Sequence, residues 1–153
     1  MPKLWIMRHG EAEWHASSDL ERALSANGVR EVQSVAKKLD LPTSIQVWHS
    51  PYLRAKQTCS ELTNIASVPQ EQVREEPMIT PEGDVKNVAS LIEAVELSEL
   101  MLVSHMPLVA KLVRELSGDD RIGGFQTAQI VELSFDAEAK KWALSAIYAP
   151  SKD

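Results

Sequence analysis

The sequence contains a single cysteine, Cys59, so no disulfide bond can form within the chain. Long hydrophobic runs are also missing, and no apolar stretch approaches the ~20 residues that a helix needs to cross a bilayer. The N-terminal residues lack a basic segment followed by an apolar run of signal-peptide length. We therefore expect a cytoplasmic protein without internal disulfides.

Positive charge is in the minority. The chain has 16 lysines and arginines against 22 aspartates and glutamates, which gives a formal net charge of −6. A chain with this balance is not expected to bind nucleic acid or an anionic membrane surface. Net charge says nothing about a local cluster, however, and Arg8, Arg22 and Arg54 could converge to attract phosphate.

What the sequence does contain is an alternation of short apolar runs with helical stripes. Strands are predicted near residues 4–8, 45–48, 73–75 and 100–103, and helices near 25–39, 52–64, 85–95 and 107–116. Two later runs, 128–135 and 142–148, predict a β-hairpin. We expect an α/β fold: a three-layer α/β/α sandwich with a mostly parallel sheet and a C-terminal antiparallel edge hairpin, formed by one domain over residues 1–153.

Chemically useful side chains stand where the predicted strands end. The first strand ends at Arg8-His9-Gly10, a later one ends before His105, and Arg54 lies near the start of a helix. Open α/β sheets bind ligands at such strand ends. Imidazole can act as a nucleophile, guanidinium can bind two oxygens of an oxyanion, and glycine allows close approach to the backbone. The pattern predicts phosphoryl transfer through histidine, although a histidine bonded within a turn remains the alternative for His9.

Three motifs in this order resemble those of the histidine phosphatase superfamily, also called phosphoglycerate mutase-like. They are residues 8–11 (Arg-His-Gly-Glu), residues 50–58 and residues 104–105 (Ser-His). Residues 80–84 and 104–109 resemble the small bacterial phosphohistidine phosphatases within that superfamily. The resemblance implies that His9 is the nucleophile and that Arg8, Arg54 and His105 hold the phosphoryl oxygens.

Further phosphate contacts follow from the same resemblance. Arg22 precedes a helix entry that is similar to the family's but lacks its proline, and it is predicted to touch phosphate. Gly10 and Ser50 are predicted to line the same site. His15 and His49 are interpreted as loop and packing residues.

A general acid is harder to identify. The carboxylate that larger relatives carry after the third strand is missing from its expected place, and Glu82 and Asp84 are the nearest candidates. Both are also explained by turn and helix-cap chemistry. Because imidazole leaves more easily than an alkoxide, a site poor in acids favours phosphohistidine as substrate. By resemblance, the substrate would be a histidine-containing phosphotransfer (HPt) domain of a signalling relay, and inorganic phosphate would be the product.

Two other functions remain open. One is a small-molecule phosphomonoesterase or mutase of the same fold, which would need Glu82, Asp84 or another acid. The other is a non-catalytic phosphate- or phosphoprotein-binding module, or a metal site built on His9 and His105. Adjacent arginines disfavour a dication, and no spacing resembles a metal motif, so no metal and no cofactor are expected. Cys59 is interpreted as a packing residue.

Overall fold

The structure is a computed structural model that describes residues 2–151. Its strands and helices are, in chain order, β1 (Lys3–Arg8), α1 (Ala26–Ala36), β2 (Gln46–His49), α2 (Leu53–Ala66), β3 (Val73–Glu75), α3 (Val85–Val95), β4 (Glu99–Ser104), α4 (Leu108–Ser117), β5 (Ile130–Asp136) and β6 (Lys141–Tyr148). Short 3-10 turns lie at Asp19–Glu21 and Gln70–Gln72.

The strands form one six-stranded sheet in the order β3-β2-β4-β1-β5-β6. β1, β2, β3 and β4 pair in parallel, whereas β5 runs antiparallel to β1 and β6 runs antiparallel to β5. A mostly parallel sheet with a C-terminal antiparallel edge hairpin is the predicted fold class, and the structure confirms it.

Helices cover both faces of the sheet. On β1, Leu4 and Ile6 pack in the cluster that contains residues of α3 and α4, while Trp5 and Met7 pack in the cluster with α1 and α2. All four side chains are buried. Because β1 is buried on both faces, its sequence is a continuous apolar run rather than an alternating one.

The ends of three helices carry capping residues. The side chain of Ser25 accepts a hydrogen bond from the Gly28 amide at the start of α1. The Asp84 carboxylate accepts bonds from the Lys86 and Asn87 amides at the start of α3. Gly118 follows α4 with a φ of 72°, a left-handed conformation that glycine adopts without strain. Within residues 2–151, no helix is both long and apolar enough for a membrane span.

Gly28 fixes how closely α1 approaches the loop after β1. A Cβ at this position would lie 2.0 Å from the carbonyl oxygen of Glu11, so α1 and the loop would have to separate. We expect Gly28→Ala to lower the free energy of unfolding by about 1–3 kcal/mol, measured by urea denaturation. The control is Gly123→Ala, where a Cβ meets nothing within 4 Å. Equal stabilities of the two variants would contradict this close approach.

Candidate active site

The carboxyl ends of three neighbouring parallel strands meet at one edge of the sheet. Arg8 at the end of β1 pairs in register with Ser104 at the end of β4, and the His9 amide donates to the Ser104 carbonyl at 3.0 Å. On the other side of β4, the Ser50 amide after β2 donates to Val103 at 3.0 Å. The structure thereby brings four predicted residues to one place, here called the strand-end cluster: Arg8, His9, Arg54 and His105.

His9 is held in a single tautomer. Its Nδ1 lies 2.7 Å from the carbonyl oxygen of Gly10. A carbonyl oxygen can only accept a hydrogen bond, so Nδ1 carries the proton and Nε2 keeps its lone pair. Arg54 Nε donates to that Nε2 at 3.3 Å. The ring therefore presents an unprotonated nitrogen to the guanidinium of Arg54.

Both histidines of the cluster are neutral at physiological pH. Burial, opposed by the Gly10 carbonyl and reinforced by Arg54, lowers the pKa of His9 from 6.5 to about 4. Burial and the neighbouring His9 lower the pKa of His105 from 6.5 to about 3. A neutral imidazole is the form that can act as a nucleophile, and it needs no proton removal before attack.

These lowered pKa values make stability depend on pH. Between pH 6.5 and about 4, His9 binds more protons in the unfolded chain than in the folded one. The contribution of the neutral ring to the free energy of unfolding is therefore complete above pH 6.5 and is lost as the pH falls toward 4. We expect the wild-type protein to lose about 2 kcal/mol more stability than His9→Gln between pH 7.5 and 4.5. Urea denaturation at the two pH values measures the difference. Parallel losses in the two proteins would contradict a buried neutral His9.

His105 lies beside His9 and is in hydrogen-bond contact with Ser50. Its ring centroid lies 5.0 Å from that of His9, and its Nε2 lies 2.7 Å from Ser50 Oγ. Since Ser50 Oγ already accepts from the Tyr52 amide at 3.2 Å, its own proton is available for His105 Nε2. The other ring nitrogen of His105, Nδ1, is a buried atom without a hydrogen-bond partner among residues 2–151. A buried ring nitrogen of this kind is available to a bound ligand.

Arg8 also has an unused donor. Its NH1 donates to the Phe125 carbonyl at 2.7 Å, while its Nε is buried and has no partner within the described part of the chain. Burial lowers the pKa of Arg8, and nearby Glu31 opposes this shift. An arginine keeps its charge under such conditions, so the cluster combines fixed positive charge with unpaired N–H groups.

Arg54 is positioned by α2 and by the backbone around it. The residue lies in the first turn of the helix and is buried. Thr58, one turn later, donates to the Arg54 carbonyl at 2.7 Å and accepts from the Gly10 amide at 3.1 Å. The buried threonine thus ties the start of α2 to the loop that carries His9, a role that the sequence did not indicate.

The loop between β1 and α1 brings Arg22 to the same region. A bridge between Ala12 and Leu24 closes the base of the loop. Arg22 donates through Nε to the Glu13 carbonyl at 2.7 Å, and its charge contributes to the low pKa of His9. Arg22 therefore lies near His9, although the loop itself already engages part of its guanidinium.

One residue of this loop was missed by sequence reasoning. Asp19 accepts hydrogen bonds from both Arg22 and Arg54. The loop is polar throughout and has no periodicity, so its only sequence signal was the three-residue spacing from Asp19 to Arg22.

Gly10 and Ser50, both predicted to touch phosphate, have clear partners within the protein. A Cβ on Gly10 would lie 2.8 Å from the Gly28 carbonyl oxygen, so this glycine is required for the packing of α1. The Ser50 side chain is buried and bonds to His105 and to the Tyr52 amide.

The two candidate acids lie outside the strand-end cluster. The Asp84 carboxylate caps α3, and Glu82 is exposed in the preceding turn. No hydrogen bond or ion pair joins either carboxylate to the cluster within residues 2–151.

Other reactive side chains are placed elsewhere or are unreactive. Burial raises the pKa of Cys59 to about 12, so its thiol is not a nucleophile at neutral pH. His15 is exposed, and His49 Nδ1 lies 2.9 Å from the Ser50 carbonyl. Residues 2–151 contain no group of three or more histidine, cysteine or acidic side chains that could hold a metal ion.

Comparison with known proteins identifies the family of this chain. The family model of the histidine phosphatase superfamily (branch 1) matches residues 4–83. The chain belongs to the histidine phosphatase superfamily. It is therefore a hydrolase of the phosphatase type with a histidine nucleophile.

Individual relatives match over nearly the whole chain. Phosphohistidine phosphatase SixA of Escherichia coli K12 is 32% identical over 94% of this chain and 93% of its own. A SixA homologue of Haemophilus influenzae Rd is 33% identical over 87% of this chain and 88% of its own. The solved structure of the protein histidine phosphatase SixA complexed with tungstate superposes with a TM-score of 0.85, at 31% identity and 97% coverage of both chains. This member of the histidine phosphatase superfamily thus shares the SixA fold over nearly its whole length.

Proposed function

We propose that this protein is a protein phosphohistidine phosphatase that acts through a phosphorylated His9. The observation that carries the proposal is the tautomer of His9, because its Nδ1 bonds to the Gly10 carbonyl at 2.7 Å and leaves Nε2 as a free base beside Arg54. The whole-length similarity to SixA, named a phosphohistidine phosphatase, supports the substrate class.

The unpaired donors of the cluster support an oxyanion as ligand. Arg8 Nε and His105 Nδ1 are buried without partners among the described residues, and the guanidinium of Arg54 reaches His9 Nε2. Tungstate, which the solved SixA complex contains, is a tetrahedral oxyanion like phosphate. In our proposal, Arg8, Arg54 and His105 hold the three phosphoryl oxygens, and Arg22 contacts the group from the loop.

Ser50 has a less direct role in this proposal. Its hydroxyl lies 2.7 Å from His105 Nε2. In our proposal the hydroxyl donates to that nitrogen and keeps the His105 proton on Nδ1, where a phosphoryl oxygen can accept it. Gly10 likewise contributes its carbonyl oxygen, which holds the proton of His9 on Nδ1. Both residues position a reacting group rather than bind phosphate themselves.

In the proposed cycle, Nε2 of His9 attacks phosphorus in line with the bond to the leaving group. The P–N bond of the substrate breaks as the new P–N bond forms, and the broken bond's electron pair stays on the substrate imidazole. Water then attacks phospho-His9 and releases inorganic phosphate. Glu82 is exposed and Asp84 caps a helix, which supports a leaving group such as imidazole over an alkoxide that requires a strong acid.

The finer proposal is an HPt domain of a cytoplasmic signalling relay as substrate. The loop that carries Arg22 also carries Trp14, which is 84% exposed, and Leu20, which is 47% exposed. Large apolar side chains that are exposed beside a site are suited to contact with a protein surface.

The test compares an HPt domain phosphorylated on histidine with a panel of phosphate esters, each with and without a chelator. We expect rapid release of phosphate from the HPt domain, little from the esters, an acid-labile phosphoenzyme and no effect of the chelator. Faster turnover of an ester would favour the phosphomonoesterase, and binding without turnover would favour the binding module. A chelator-sensitive rate would indicate a metal enzyme.

A further inference from the structure

Asp19 places a carboxylate between two arginines of the site. Its Oδ1 lies 3.2 Å from Arg22 NH1, its Oδ2 lies 3.3 Å from Arg54 NH2, and its carbonyl oxygen accepts from Arg54 NH1 at 2.8 Å. The other end of the same Arg54 guanidinium contacts His9 Nε2 at 3.3 Å. One guanidinium therefore spans the distance from His9 to Asp19, and the Asp19 side chain, 58% exposed, lies on the solvent side of it.

The carboxylate is ionised. Burial alone would raise the pKa of Asp19, but the hydrogen bond from Arg22 and the charge of Arg54 outweigh it and lower the pKa below its usual value. Asp19 is also close enough to His105 to act on the pKa of that ring. A fixed negative charge thus lies among arginine and histidine side chains that would otherwise favour an anionic ligand.

An anion in this place disfavours most phosphorylated substrates. The phosphoryl group is itself negative, and a plain alkyl or aryl group on a phosphate ester has no N–H or O–H donor for a carboxylate to bind. A phosphorylated histidine differs because its imidazole has a second nitrogen, which carries a proton when the ring is in its cationic imidazolium form. Only a substrate with such a donor gains from an acceptor at the rim of the site.

We propose that Asp19 binds the leaving imidazole of the substrate, an inference that rests on the proposed function. Its carboxylate accepts a hydrogen bond from the N–H of the ring nitrogen that does not carry phosphorus. With that proton in place, the ring leaves as neutral imidazole when the P–N bond breaks and the electron pair returns to nitrogen. Without it, the ring would have to leave as imidazolate, a far poorer leaving group.

The proposed role of Asp19 on the substrate ring is similar to the role of the Gly10 carbonyl on the His9 ring. The Gly10 carbonyl holds the proton of the attacking ring on Nδ1 at 2.7 Å, so the ring becomes cationic when its Nε2 bonds to phosphorus. In the transfer step the phosphoryl group passes from the substrate imidazole to His9. Each ring keeps its own proton on the nitrogen that does not bond to phosphorus. Gly10 stabilises the charge on one ring and Asp19 stabilises it on the other.

The test measures kcat/KM of Asp19→Asn on two substrates. One is a histidine peptide phosphorylated with phosphoramidate, and the other is 4-nitrophenyl phosphate, whose leaving group departs without a proton. We expect the ratio of the peptide rate to the nitrophenyl rate to fall about 10- to 100-fold, the effect of one hydrogen bond to a charged group. Asp19→Glu should recover part of the ratio. Glu21→Gln, an exposed acid on the same turn, should leave it at the wild-type value.

The outcomes separate this role from simpler ones. An equal loss on both substrates would mean that Asp19 only holds Arg22 and Arg54 in place, and an equal gain would mean that it only competes with phosphate; either result overturns the inference. Failure of the proposed function is a different result. It requires that the wild-type protein release phosphate from 4-nitrophenyl phosphate but not from phosphohistidine in a peptide or an HPt domain.

Discussion

His9→Ala should abolish release of phosphate and formation of the phosphoenzyme. The substitution removes the Nε2 lone pair, which accepts from Arg54 and is the attacking atom in the proposed cycle. For a covalent mechanism, loss of the nucleophile lowers kcat by about 10⁴-fold or more. The measurement is phosphate release from a phosphorylated HPt domain, together with acid-quench detection of phosphoprotein.

Two further variants make this result specific. His9→Asn can retain a hydrogen bond to the Gly10 carbonyl without supplying a nucleophile, so it should be as inactive as His9→Ala. His15→Ala, which alters an exposed histidine of the neighbouring loop, should keep wild-type activity. An acid-labile phosphoenzyme that persists in His9→Ala would transfer the nucleophile role to another residue.

The position of the site was predictable because it depends on the sheet. β1 is buried on both faces, so the chain enters it as an uninterrupted apolar run and leaves it at Arg8 and His9. β4 has the same character and leads to His105. Parallel strands that lie side by side bring their carboxyl ends together, and convergence of these side chains follows from that rule.

The finer arrangement of the site could not be predicted because it depends on backbone atoms and on a loop. The partners of Arg8 and His9 are carbonyl oxygens of Phe125 and Gly10, and a carbonyl oxygen leaves no mark in the sequence. Asp19 contacts Arg54, 35 positions away, from a loop whose base is closed by the bridge between residues 12 and 24.

The structure gives the glycine at position 10 a packing role that the sequence did not indicate. Its lack of a side chain was interpreted as room for a phosphoryl group, whereas in the structure the missing Cβ makes room for the carbonyl of Gly28 and for Val32. A sequence can show that a position requires glycine, but the direction in which a Cβ would point depends on the folded backbone.

Arg54 makes contacts that a single positive charge cannot replace. Its Nε donates to His9 Nε2 at 3.3 Å, while NH1 and NH2 donate to Asp19 at 2.8 and 3.3 Å. These donors point in fixed directions from one planar group, and the residue is buried, so water cannot substitute for them. In the proposed mechanism, this guanidinium orients His9 before attack, and it holds a phosphoryl oxygen once Nε2 of His9 bonds to phosphorus.

Arg54→Lys should therefore lower kcat/KM on phosphohistidine by about 10³-fold although it keeps the charge. The ammonium presents all its N–H donors from a single nitrogen, so it cannot reach both His9 and Asp19 as the three nitrogens of the guanidinium do. The matched control is Arg74→Lys on β3, where the guanidinium pairs with Glu76 and stacks on Trp48, and this variant should keep wild-type kcat/KM. Urea denaturation of both variants separates a loss of catalysis from a loss of folding. If Arg54→Lys is stable and stays within tenfold of wild type, charge alone is sufficient and the geometry of the guanidinium is not what the transition state requires.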